Sequence, residues 1–158
     1  MSLASLEEAI PEGEGLLLDT STLIAYLNAG EAVTPVASHV ITDWVGGGRN
    51  PAVVSMVSVT EVLLQPLRAG AEEAYATLIE FLTHFPNMRL APIDLHTAQE
   101  AAWLRVASSL TPPNALIIAT GVMAQAGHLV TNDARWKQAE PMARNIRAVY
   151  LEDHLPFP

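Results

Sequence analysis

At 158 residues, half of them hydrophobic and only 16% charged, the chain has the length and apolar content of one folded domain, and disorder is excluded. It has no cysteine, which rules out disulfides and thiolate metal sites and fits a reducing cytoplasm. No apolar run reaches the roughly 18 residues of a membrane span, and the N-terminus lacks the basic and apolar regions of a signal peptide, so a cytoplasmic location without membrane contact is expected.

The net charge of −9 argues against binding nucleic acid through a broad positive surface, because that kind of affinity comes from cations neutralising phosphates. The charges are also unevenly distributed. Glu7, Glu8, Glu12, Glu14, Asp19 and Glu31 follow one another with no cation between them, whereas Arg135, Lys137, Arg144 and Arg147 stand against Glu140 alone. Half of the cations therefore fall in one short segment.

Residues 1–14 read as an acidic, poorly specified extension, and residues 15–158 as the domain proper. Gly15-Leu16-Leu17-Leu18 is a short continuous apolar run ending at Asp19, the pattern of a buried parallel strand. A helix is expected from Ser21 or Thr22 to Ala29, stopped by Gly30. Thr34-Pro35 opens another that runs to Gly46-Gly47-Gly48. Residues 51–57 are β-branched and apolar, a second buried strand, followed by a helix with Glu61 in its first turn. A helix over 72–85, a strand over 88–93 and a helix from Asp94 to Leu110 come next. Thr111-Pro112-Pro113 starts a helix that ends at Gly127. His128 to Thr131 is a fourth strand, a short helix is expected around 134–139, and Ala148 to Leu151 is a fifth strand. Strands alternating with helices predict an α/β fold, a three-layer α/β/α sandwich around a parallel sheet of about five strands.

In such sheets ligands bind beyond the carboxyl ends of the strands. Asp19, Glu61 and Asp133 all stand where a strand hands over to a helix, and Asn114 opens the helix after Pro112-Pro113. Oxygen ligands gathered from several loops suit Mg²⁺ or Mn²⁺, and a cation would relieve the repulsion between clustered carboxylates. Each residue taken alone also reads as an acid or amide at a helix start, interacting with the helix dipole. Their equivalent topological positions favour the shared metal site.

At this point the chain resembles the PIN-domain nucleases. The matching pieces are Leu16-Leu17-Leu18-Asp19-Thr20-Ser21, Ser58-Val59-Thr60-Glu61-Val62, Pro113-Asn114-Ala115-Leu116-Ile117-Ile118-Ala119-Thr120 and Leu129-Val130-Thr131-Asn132-Asp133, four motifs in order over residues 16–151. The resemblance implies Mg²⁺- or Mn²⁺-dependent cleavage of phosphodiester bonds, usually in RNA. It also implies a toxin-like role with a basic antitoxin protein as partner, and a homodimer. By position, Asp19, Glu61 and Asp133 would bind metal, Thr131 would support them, and Asn114 stands where the family normally has Asp. The amide oxygen of Asn114 can ligate a hard cation but brings no charge, so a weakened ribonuclease is expected. The alternative is a catalytically impaired interaction module of the same fold. Arg135 and Lys137, just beyond Asp133, are the expected contacts to the RNA backbone.

Other enzyme classes fit poorly. An aspartyl-phosphate mechanism wants a balancing lysine, and Lys137 is the only one. A dinucleotide fold needs its glycines after the first strand, whereas Gly46-Gly47-Gly48 follows a helix. The five histidines are scattered and read as ordinary surface or helix residues, and the three tryptophans as core or interface.

Overall fold

A computed structural model of the protein describes residues 2–138 and 145–158; Glu140, Arg144 and the last residue of the helix expected around 134–139 lie outside them. Five short strands form one parallel sheet: β1 (Leu16–Leu18), β2 (Ala52–Ser55), β3 (Met88–Ala91), β4 (His128–Thr131) and β5 (Arg147–Tyr150). Their order across the sheet is β3-β2-β1-β4-β5, so the first strand in sequence is the central one. Leu17 of β1 pairs with Val53 on one side and with Leu129 on the other.

Successive residues of a strand point to opposite faces, and here each face has its own core. Leu16 and Leu18, with Ala52, Val54 and Val130, pack on one side against α2 (Thr20–Leu27), α3 (Thr34–Ser38), α4 (Met56–Arg68) and α5 (Glu72–His84). Leu17, Val53 and Leu129 face the other side, against α6 (Leu95–Ala107) and α7 (Pro112–Met123). This is the three-layer arrangement expected from the alternating pattern. Gly121 lets α7 lie close to the sheet, since a Cβ there would meet the Leu17 side chain at 2.7 Å.

Several boundaries differ from the sequence reading. Residues 2–9 form a helix, α1, whose Leu6 and the following Ile10 are fully buried in the first core. Ser5 Oγ stands 2.8 Å from His154 Nδ1, tying this helix to the 3₁₀ turn Leu151–His154. The segment read as a poorly specified extension is thus packed against the domain. α3 passes into a π-helical stretch, His39–Val45, that ends at Gly46.

β2 is shorter than expected, and the reason lies in Ser55. Its side chain accepts from the Val57 N–H, capping a helix that begins at Met56. Met56 and Val57, read as strand, are helical. Glu61 therefore sits in the second turn of α4 rather than the first.

His128 and His154 are buried, contrary to the expectation of ordinary surface or helix positions. Burial lowers the pKa of both imidazoles. Trp44 and Trp136 are core residues, while Trp103 is half exposed. Among the described residues no helix is long and apolar enough to cross a membrane.

Candidate metal centre

Asp19 ends β1 and caps α2: its Oδ1 accepts from the Thr22 N–H at 3.0 Å, and its backbone is extended as an N-cap requires. The same oxygen accepts from Ser21 Oγ at 2.7 Å. Its Oδ2 accepts from Thr131 Oγ1 and, at 3.2 Å, from Trp136 Nε1. Asp19 is only 3% exposed, and each of its carboxylate oxygens accepts two hydrogen bonds. Burial is the larger influence and raises its pKa; the bonds from Thr131, Thr22, Ser21 and Trp136 pull the other way.

Thr131 and Ser21 each connect Asp19 to the loop after β4. Thr131 Oγ1 accepts from the Asp133 N–H at 2.9 Å while donating to Asp19. Ser21 Oγ accepts from the Asn132 N–H at 2.8 Å while donating to Asp19. Two parallel relays thus fasten the β4 loop to the end of β1. They form because the two strands are neighbours and in register.

Glu61 is exposed on α4 and reaches back toward β1, where Thr20 Oγ1 donates to its Oε1 at 2.8 Å. Ser58 Oγ lies 3.0 Å from the same threonine oxygen. Neighbouring hydroxyl residues after β1 therefore face different acids, Ser21 toward Asp19 and Thr20 toward Glu61.

Asp133 has another kind of partner. The Arg135 guanidinium grips it with Nε at 3.0 Å from each oxygen and Nη2 at 2.7 Å from Oδ2, while the Arg135 N–H bonds Oδ1. This fork lowers the Asp133 pKa against the opposing effect of partial burial. Glu61 stands near enough to add to the field that raises the pKa of the guanidinium. Arg135 and Trp136 belong to one 3₁₀ turn, Ala134–Gln138, which sends one donor to Asp133 and the other to Asp19.

Asn114 is half-buried in the first turn of α7, and among the described residues no hydrogen bond joins its side chain to the three acids. Lys137 places its Nζ 4.7 Å from the centre of the Tyr150 ring. Arg135 and Lys137, expected to meet RNA, thus each have a partner within the chain.

The donors are all oxygen, the chemistry a hard divalent cation takes. Asp19, Glu61, Asp133 and the amide of Asn114 would supply them. In the arrangement described, each carboxylate is satisfied separately, and among the described residues no three His, Asp or Glu side chains form a group able to hold an ion. The donor set fits the ion in kind; the side chains stand as they would in a protein without it. Ser21, Thr20 and Trp136 carry the local geometry, and none of them was singled out from the sequence as a site residue. The hydroxyls at 20 and 21, next to Asp19, were the available signal; Trp136 offered none.

The PIN domain family model matches residues 16–140. No curated protein sequence matches the chain. Among solved structures, VapBC2 of Rickettsia felis bound to a promoter DNA fragment has a TM-score of 0.65 at 14% identity, covering 86% of this chain and 98% of that one. FitAcB of Neisseria gonorrhoeae also gives 0.65, at 17% identity, with 87% and 98% covered. Mycobacterium tuberculosis VapC20, described as a sarcin–ricin loop cleaving toxin, gives 0.62 at 17% identity, with 78% and 94% covered.

Proposed function

The chain belongs to the PIN-domain family, and from that premise we propose that it is a divalent-cation-dependent endoribonuclease, the toxin of a toxin–antitoxin pair. The observation that carries the reading is the coupling of Asp19 to the Asp133 loop through Thr131, with Glu61 brought to the start of α2, beside Asp19, through Thr20. Mg²⁺ or Mn²⁺ would polarise the scissile phosphate and lower the pKa of a bound water.

Asp19, Glu61 and Asp133 would hold the ion, with Asn114 as a neutral fourth donor. Thr131 orients Asp19 by donating to it and fixes the loop by accepting from the Asp133 N–H. Trp136, itself buried, helps orient Asp19 by donating to its Oδ2. Arg135 and Lys137 would contact phosphate once released from Asp133 and Tyr150. Solved structures of this fold include toxin–antitoxin complexes, which supports an antitoxin as partner, and the net charge of −9 suits a basic one. A homodimer and a cytoplasmic location complete the reading.

The test is calorimetric titration with Mn²⁺, paired with cleavage of single-stranded RNA, for the wild type and Asp19→Asn. Wild type should bind and cut, and the variant should do neither. Equal Mn²⁺ binding by the two proteins would sink the site assignment. A second reading, an interaction module that keeps the fold and has lost the chemistry, is favoured by the uncharged Asn114 and by the Arg135 fork on Asp133. Metal binding without any RNA cleavage would select it.

A further inference from the structure

Arg135 is 84% exposed, yet its guanidinium is engaged by a neighbouring carboxylate. It forks onto Asp133, with Nε reaching both carboxylate oxygens and Nη2 reaching Oδ2. A fork of this kind occupies the outward lone pairs that an ion would need from the same group. Glu61, the second acid of the site, is near enough to favour the charged guanidinium.

The fork is also delivered by the architecture. Trp136, the next residue, is buried and bonded to Asp19, so the turn carrying Arg135 is anchored at the carboxyl end of β1. The Arg135 side chain alone is free to swing, because everything beyond its backbone faces solvent or Asp133.

We propose that Arg135 is a tethered competitor for the metal: its guanidinium serves as the resident cation on Asp133, and a divalent ion must displace it to bind. The inference rests on the metal-site reading given above. It assigns to this chain's own side chain the control of how tightly the site takes its ion. An exposed ion pair is weak, so displacement needs only rotation of one side chain, and the expected handicap on affinity is modest, about two- to fivefold.

Competition by geometry and competition by charge are separable. Lysine keeps the charge at position 135 but cannot form the planar fork. Calorimetric titration with Mn²⁺ in low-salt buffer compares wild type, Arg135→Ala, Arg135→Lys and Asp19→Asn. Arg135→Ala is expected to bind Mn²⁺ about two- to fivefold more tightly than wild type, with Arg135→Lys recovering at least half of that gain on a logarithmic scale. Melting in chelator checks that both position-135 variants are folded. If wild type binds, Asp19→Asn does not, and Arg135→Ala binds no more tightly than wild type, the competition is overturned and the metal site stands. If Arg135→Lys matches wild type while Arg135→Ala gains, charge alone acts and the fork has no part, which also overturns it. If neither wild type nor Arg135→Ala binds Mn²⁺ at millimolar concentration, the site reading falls and takes the competition with it.

Discussion

Asp19 and Asp133 follow adjacent strands, β1 and β4, at the same edge of the sheet, and the protein treats them in opposite ways. Asp19 is enclosed, bonded to four neutral donors, and its pKa is raised by burial. Asp133 is partly open, held by a guanidinium, and its pKa is lowered. The difference teaches that strand-end position places a carboxylate but does not set its charge state. Asp19 owes its surroundings to chain neighbours and to β4; Asp133 owes its own to a residue two positions on.

The comparison breaks most decisively at Asp19. In Asp19→Asn an amide NH₂ would face at least one of the donors now pointing at Oδ1 and Oδ2, leaving buried groups unpaired. A loss on the order of 2–4 kcal/mol in urea unfolding is expected, together with loss of RNA cleavage. Stability within about 0.5 kcal/mol of wild type would mean the four bonds contribute little net energy. Removing one relay should cost less. Thr131→Val deletes the donor to Asp19 and the acceptor of the Asp133 N–H, for about 1–3 kcal/mol by the same measurement.

The two acids also predict pH dependences of opposite sign, measured in chelator so that no ion intervenes. A raised pKa means that folded Asp19 keeps its proton where the unfolded chain has lost it. Its contribution is full below the ordinary aspartate value of 3.8 and is lost as pH rises through the folded pKa. Asp133, with a lowered pKa, contributes above 3.8 and loses that contribution as pH falls through its folded value. Relative to wild type, Asp133→Asn should therefore flatten the acid side of the stability profile. Asp19→Asn should flatten the decline above 3.8. Parallel profiles for the two variants would contradict the contrast.

The smallest effect is expected at Asn114. If it lines the site, Asn114→Asp adds a like charge, so the variant should melt lower than wild type in chelator and gain more on adding Mn²⁺. If it is only a first-turn residue of α7, the added charge should interact with the helix N-terminus and stabilise by about 0.3–1 kcal/mol with or without metal.

Much of the fold was legible because buried parallel strands leave a plain mark: Leu16-Leu17-Leu18 and Leu129-Val130 are short apolar runs soon after a glycine and before polar residues. Position at strand ends then singled out Asp19 and Asp133 without any knowledge of their contacts. Other features were hidden for physical reasons. The apolar side of α1, Leu3 and Leu6, continues to Ile10 with helical spacing, but glutamates dominate the composition of that segment. Val57 suits a strand as well as a helix, and only the Ser55 cap decides between them. The bond from Trp136 to Asp19 joins residues 117 apart and depends on β1 lying beside β4, an adjacency no local pattern encodes.

That adjacency also bears on the order in which the molecule comes into being. β1 is the first strand to leave the ribosome, and β2 soon follows to pair with one of its edges; the other edge must wait for β4. Until Thr131 and Trp136 emerge, Asp19 has only Ser21 and Thr22 as partners, and the loop bearing Asp133 does not yet exist. A nascent chain stalled between β3 and β4 carries three of the five strands and one lone acid from this pair. Whatever the centre does, it can do only after β4 and the turn carrying Trp136 have been made.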